Sequence, residues 1–169
     1  MDADELKTLQ APLKQRYRDN PESALVTLRA EGALNEGVAC SVATGKALVE
    51  AGLHAATGGN GMLACSGDML LQALVACAGV TLTAVATALK VKLRGGQVIA
   101  EGDLDFRGTL GVAKDVPVGF KEIRLRFILD GDVTPDEEAR LLELTQRYCV
   151  VYQTLRNGVE VAARIANSQ

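Results

Sequence analysis

From Met69 to Leu89 the chain carries no charged side chain. A run of that length must be buried in protein or in lipid, since about 20 consecutive apolar residues cross a bilayer as a helix. The residues themselves discriminate. Gln72, Gly79, Thr81, Thr83 and Thr87 interrupt the run, alanine supplies much of its apolar content, and no Trp or Tyr flanks it as an interfacial anchor. A helix that is apolar on all sides is then a core or interface element, so a long buried helix is expected here. The rival reading, a small membrane protein, has only this run behind it.

The flanking residues suggest where the helix begins and ends. Ser66 or Asp68 can accept from the amides of its first turn. Lys90, Lys92 and Arg94 follow at the end where the helix dipole favours cations, and Gly95-Gly96 closes the segment. Upstream, residues 1–20 form an arm with Leu6, Leu9 and Leu13 at helical spacing before Asn20-Pro21 breaks the pattern. Between Ser23 and Leu53, short Val, Leu, Thr and Ala runs punctuated by glycines predict three strands in an antiparallel meander. The loop Gly58-Gly59-Asn60-Gly61 leads into the long helix.

Downstream, Gln97 to Leu110 and Phe120 to Leu129 alternate with a period of two, which predicts two long antiparallel strands. Ile123, Leu125, Phe127 and Leu129 would share one face. Thr134-Pro135-Asp136-Glu137 has capping-box spacing with proline at the first helical position. A helix to about Arg147 follows, with Leu141, Leu142 and Thr145 directed inward. A short helix is expected over Val150 to Arg156, and Asn157-Gly158 turns the chain into a last strand, Val159 to Ile165. The order makes an α+β fold, with antiparallel sheets around the long helix, in one domain over residues 21–169.

A net charge of −3 offers no broad footprint for nucleic acid or an anionic membrane. The N-terminus opens with acids and no apolar core, which points to the cytoplasm. Cys40, Cys65, Cys77 and Cys149 show no CxxC spacing, and permanent disulfides are uncommon in a reducing compartment. Any sulfur chemistry is therefore expected to be transient. Neither the cysteines nor His54, the sole histidine, has the short paired spacing of metal ligands, and the glycine loop lacks the lysine of a phosphate cradle. No metal and no cofactor is expected. Cys65 reads as a cap-region thiol, Cys40 as strand packing and His54 as a strand-end residue.

Two segments carry a resemblance. Ser66 to Ala86, a polar cap followed by a Leu/Ala-rich run containing Cys77, resembles the central helix of the OsmC/Ohr proteins, the osmotically inducible and organic hydroperoxide resistance group. Arg147-Tyr148-Cys149-Val150-Val151 sits where that family carries a second cysteine at the head of a late helix, with Val150 in place of the usual proline. The similarity extends over roughly residues 24 to 165.

The resemblance implies an intertwined homodimer with the long helices at its heart and a site at the subunit interface. It implies that Cys77 attacks the hydroperoxide and becomes a sulfenic acid, that Cys149 resolves it as a disulfide, and that a dithiol, a lipoylated protein or a small thiol, resets the pair. An early arginine that holds the reactive thiolate maps best onto Arg29. The acid that orients it maps onto Asp68, shorter than the usual glutamate, with Gly67 in the adjoining slot. The alternative function is a non-catalytic homodimeric binding module of the same fold with a hydrophobic interfacial pocket. Local physics is consistent with such a pair: a helix start should bring Cys149 below the ordinary value of about 8.5, and burial in an apolar helix should push Cys77 up unless a cation lies beside it.

Overall fold

In the computed structural model, which describes residues 2–20, 32–34, 39–43, 48–111 and 113–166, the uncharged segment is a 24-residue helix, α2, Ser66–Leu89. The other elements, in chain order, are α1 (Ala3–Asp19), β1 (Gly32–Leu34), β2 (Ala39–Ala43), β3 (Leu48–Gly52), β4 (Ala64–Cys65), β5 (Gly95–Leu104), α3 (Phe106–Thr109), β6 (Phe120–Asp130), α4 (Pro135–Tyr148) and α5 (Val150–Asn157). The expected arm is helical as α1 and lies against α2.

Helix α2 is buried along one stripe and not all round. Leu74, Ala78, Leu82 and Ala86, each a turn apart, are sequestered with Val85, while Val80 on the opposite face is exposed, as are Leu70 and Leu89 where the stripe runs out at the two ends. The core is built from Leu82, Val85 and Ala86 against Leu141 of α4, with Val91, Leu93, Phe127, Leu129, Val133 and Leu144 packed around them. Helix α2 is apolar and long enough to cross a membrane, yet within the chain its stripe meets α4, α5 and β5. The threonine hydroxyls that interrupt the run are absorbed locally. Thr81 donates to the Cys77 carbonyl at 2.8 Å, Thr83 to the Val80 carbonyl at 2.9 Å and Thr87 to the Thr83 carbonyl at 2.8 Å.

The ends of α2 differ from the sequence expectation. Neither Ser66 nor Asp68 caps it: both already lie inside the first turn, and the cap is Cys65, whose side chain makes no capping bond. The C-terminus comes at Lys90, which adopts a left-handed conformation (φ 60°) and donates its amide to the Ala86 and Thr87 carbonyls. Gly95 and Gly96 instead open β5.

Strands β1, β2 and β3 form the expected antiparallel meander, with Leu34 opposite Cys40 and Cys40 opposite Ala51. A two-residue strand, β4, adds in parallel beside β3 and delivers the chain directly into α2. Such a short pairing leaves no periodic signal in the sequence. Strands β5 and β6 make a separate antiparallel pair from Gly95 opposite Asp130 to Leu104 opposite Phe120. The alternation of Ile123, Leu125, Phe127 and Leu129 toward the inner face is observed. Strand β5 stops at Leu104, short of the expected Leu110, because the Asp105 carboxylate accepts from the Arg107 amide at 3.2 Å and starts α3. Gly102 admits the Phe120 ring, since a Cβ there would lie 2.5 Å from it.

The capping box forms as expected: Thr134 Oγ1 accepts from the Glu137 amide at 3.3 Å while the Glu137 carboxylate accepts from the Thr134 amide at 2.9 Å. Leu141 and Thr145 face inward, but Leu142 is 43% exposed, being about 100° round the helix from Leu141. The last strand is not formed within the chain. After Gly158 (φ 68°), residues 159–166 are without regular structure among the described residues, and Val161 and Ile165 are 82% and 96% exposed. Leu141→Ala, which empties the centre of the α2–α4 contact, is expected to cost about 2–5 kcal/mol. Thr134→Ala should cost about 1 kcal/mol. Urea unfolding of the two variants checks both values and their order.

Candidate active site

Helices α4 and α5 are separated by one residue. Cys149 ends α4, donating its amide to the Thr145 carbonyl at 2.9 Å, and begins α5, accepting from the Gln153 amide at 2.9 Å. Its extended backbone (φ −74°, ψ 109°) sets the angle between the two helices. The Gln153 side-chain amide braces the corner by donating to the Gln146 carbonyl at 2.7 Å. This arrangement drives the Cys149 side chain inward, where it is 0% exposed, and points the first amides of α5 toward α2.

Cys77 lies at that meeting point, partly buried. Burial pushes its thiol up, but the backbone amides of Val151 and Val150 and the Cys149 thiol direct their hydrogens at its sulfur, the nearby Thr81 hydroxyl adds a smaller effect, and together they hold it below its ordinary value. Cys149 shifts the other way. Burial raises it, the Tyr152 and Val151 amides counteract in part, and donating to the Cys77 sulfur raises it further. The pair is thus polarised, with Cys77 as the thiolate side and Cys149 as the protonated side. The local reading of the sequence assigns the α5 amides to the cysteine adjacent in the chain, whereas the resemblance names Cys77 as the attacking thiol. The tertiary fold brings α5 amides to both sulfurs, and those that reach Cys77 lower it with neutral donors. A helix N-terminus favours a negative sulfur for the same reason that it favours any anion.

The remaining candidates sit elsewhere. Asp68 is exposed in the first turn of α2, nine residues or about 13 Å along the axis from Cys77. It lines a cavity of about 320 Å³ with His54, Cys65, Gly67, Phe106 and Phe120. A Cβ on Gly67 would meet only ordinary contacts, 3.5 Å from the Cys65 sulfur and from the Phe120 ring. Arg29 lies outside the described residues. His54 does follow β3, as expected of a strand-end histidine. Its Nδ1 accepts from the Ala56 amide at 3.0 Å and its ring stacks on Phe106 at 5.0 Å. Cys65 is the cap residue of α2, and Cys40 lies in β2. Among the described residues no three His, Cys, Asp or Glu side chains converge as a metal site.

A cleft of about 470 Å³ reaches α2 at Leu74, and neither cysteine of the pair lines it. Leu74, one turn before Cys77, lies on its wall with Phe120, Ile123, Leu125 and Phe127 of β6 and Leu155 of α5. Lys121, Arg156 and Gln146 bring polar groups to the same cleft. The lining is mixed, with Glu122 and Tyr152 adding to its polar share.

The polarisation sets the pH behaviour. A thiol lowered in the folded chain keeps its thiolate to lower pH than an ordinary cysteine. That form adds stability as pH rises from the folded value toward the ordinary one, and the gain is lost as pH falls through the folded value. Iodoacetamide labelling followed by peptide mass spectrometry is expected to reach half its maximal rate at Cys77 below the ordinary thiol value of about 8.5. Cys149 should label at least about tenfold more slowly at neutral pH, given its burial and raised value. Equal rates at the two cysteines would contradict the polarity.

Comparison with curated protein sequences gives no match. Among solved structures, the OsmC-like protein from Mycoplasma pneumoniae is 17% identical, with a TM-score of 0.65 over 79% of this chain and 89% of that one. The organic hydroperoxide resistance protein OsmC from Legionella pneumophila is 19% identical, with a TM-score of 0.63 over 81% and 94%. The organic hydroperoxide resistance protein from Elizabethkingia anophelis is 21% identical, with a TM-score of 0.63 over 81% and 93%. These likenesses establish the α+β architecture. Residues 59–164, which include α2, both polarised cysteines and the junction between α4 and α5, match the family model described as OsmC-like protein, and the chain belongs to that family.

Proposed function

We propose that this protein is a thiol-dependent peroxidase that reduces organic hydroperoxides through Cys77 and Cys149. The observation that carries the reading is the convergence of the Val150 and Val151 amides and the Cys149 thiol on the Cys77 sulfur. The kinship with organic hydroperoxide resistance proteins agrees with it. In this cycle the Cys77 thiolate attacks the nearer peroxide oxygen, the O–O bond breaks and the alkoxide leaves to be protonated as an alcohol. Cys77 is now a sulfenic acid. Cys149 attacks that sulfur, water leaves and a disulfide joins the two. A dithiol, either a lipoylated protein or a small thiol, restores both thiols.

The apolar wall of the cleft, formed by Leu74, Phe120, Ile123, Leu125 and Phe127, favours an organic peroxide over hydrogen peroxide, because hydrogen peroxide has no apolar body to place against it. The amides of α5 supply the thiolate stabilisation, and Arg29 oriented by Asp68 is assigned to add to it. The working unit in this reading is a cytoplasmic homodimer. Its support is the apolar surface left open on the single chain, at Val80 on α2, Ile128 on β6 and Val161 and Ile165 beyond α5.

The same cleft also favours a second reading, a non-catalytic homodimeric module that binds apolar ligands. Peroxide consumption in dithiothreitol separates the two. Wild-type protein is expected to consume cumene hydroperoxide, Cys77→Ser to fall to the rate of buffer alone, and Cys149→Ser to accumulate over-oxidised Cys77 after its first turnovers. Equal slow rates in all three would reject catalysis. Intact mass after one equivalent of peroxide should show a Cys77–Cys149 disulfide, whereas scattered oxidation would support the binding module.

A further inference from the structure

A threonine inside a helix commonly donates its hydroxyl to a carbonyl about one turn back, and α2 does this at Thr81, Thr83 and Thr87. Thr145 on α4 does not. It is 1% exposed, and among the described residues its Oγ1 is a buried side-chain oxygen with no hydrogen-bond partner in the protein. An unpaired buried hydroxyl costs about 1–3 kcal/mol, and such a group is a candidate for a functional explanation.

Its position suggests one. Thr145 shares the inner face of α4 with Leu141, one turn before it, which packs on Leu82, Val85 and Ala86. One turn after it comes Cys149, whose amide is bonded to the Thr145 carbonyl and whose thiol meets Cys77. The hydroxyl therefore lies in the seam between α2 and α4, about 6 Å along the helix from the resolving cysteine, and it bonds neither sulfur of the reduced pair. A peroxide would bring an oxygen acceptor to this place, because it leaves one on Cys77.

We propose that Thr145 is a catalytic residue of the cycle, donating its hydroxyl to the oxygen carried by Cys77 and steadying that oxygen as it departs. This rests on the peroxidase reading. As Cys149 attacks, an S–S bond forms and the S–O bond breaks. The Cys149 sulfur is oxidised, the sulfenic sulfur is reduced, and the departing hydroxide takes the Cys149 proton to become water. A donor aimed at the leaving oxygen lowers the barrier to that step because charge develops there. It contributes little to the first attack, in which the leaving oxygen belongs to the alkoxide.

The test separates the two steps. Reduced protein is mixed with one equivalent of cumene hydroperoxide, the sulfenic acid is trapped with dimedone, and disulfide is followed by intact mass. Thr145→Val keeps the shape and removes the donor, while Thr145→Ser keeps the donor. Thr145→Val is expected to form sulfenic acid at the wild-type rate, to close the disulfide about tenfold more slowly and to accumulate sulfinic acid. Thr145→Ser should recover most of the rate, and reduced Thr145→Val should melt no lower than wild type. Disulfide closure at the wild-type rate in Thr145→Val would overturn the proposal and leave the peroxidase reading intact. So would equal slowing of both steps, which would mark Thr145 as packing alone. Wild-type protein that yields no sulfenic acid would remove both.

Discussion

The first turn of α5 has no side-chain cap, and its amides meet both sulfurs: those of Val150 and Val151 reach Cys77 from across the fold, while those of Val151 and Tyr152 serve Cys149. Each party supplies what the other lacks. The helix start gains an acceptor for donors that would otherwise be unsatisfied, and a thiol lodged in an apolar helix gains enough hydrogen bonding to outweigh its desolvation. The contact requires α2, α4 and α5 to meet at one place, so the core around Leu141 and the corner at Cys149 are both conditions of it.

Much of this arrangement was legible in the residues. The helical period and capping box of Thr134 to Glu137 marked α4, the alternation at Ile123 to Leu129 oriented β6, and the uncharged run fixed where α2 had to be. These signals are local: each is written within one or two turns or a single strand. What failed was decided partly by short-range bonds that leave no period in the sequence and partly by partners that the same chain does not supply. Asp105 ends β5 early through a bond to Arg107, Lys90 closes α2 ahead of the glycines, and Val159 to Ile165 have strand composition without a strand to pair with in the same chain. The single stripe of burial on α2 has the same origin, since composition reports how apolar a helix is but not how many neighbours one chain supplies.

The site divides along the same line. Both cysteines of the pair could be chosen from their segments, but the local physics of those segments does not give the direction of polarisation. Sequence adjacency suggested that the α5 amides would serve Cys149, and two of them do, but burial of that side chain outweighs them while Val150 and Val151 also reach Cys77 on α2. The contribution of Thr81 and the unpaired hydroxyl of Thr145 were likewise invisible, because a threonine in a helix looks the same in sequence whether or not its hydroxyl is returned to the backbone.

The one-residue corner between α4 and α5 bears on how this chain can vary. Adding or removing a residue near Gln146 to Val151 would rotate everything beyond it by about 100° about the helix axis, carrying the Cys149 sulfur off the seam and swinging the amides of α5 away from α2. The stretch from Leu110 to Gly119, which joins α3 to β6 without a helical phase to preserve, can change length at little cost. Length polymorphism in this protein should therefore collect in that connection and spare the corner, where a single indel would dismantle both halves of the thiol pair at once.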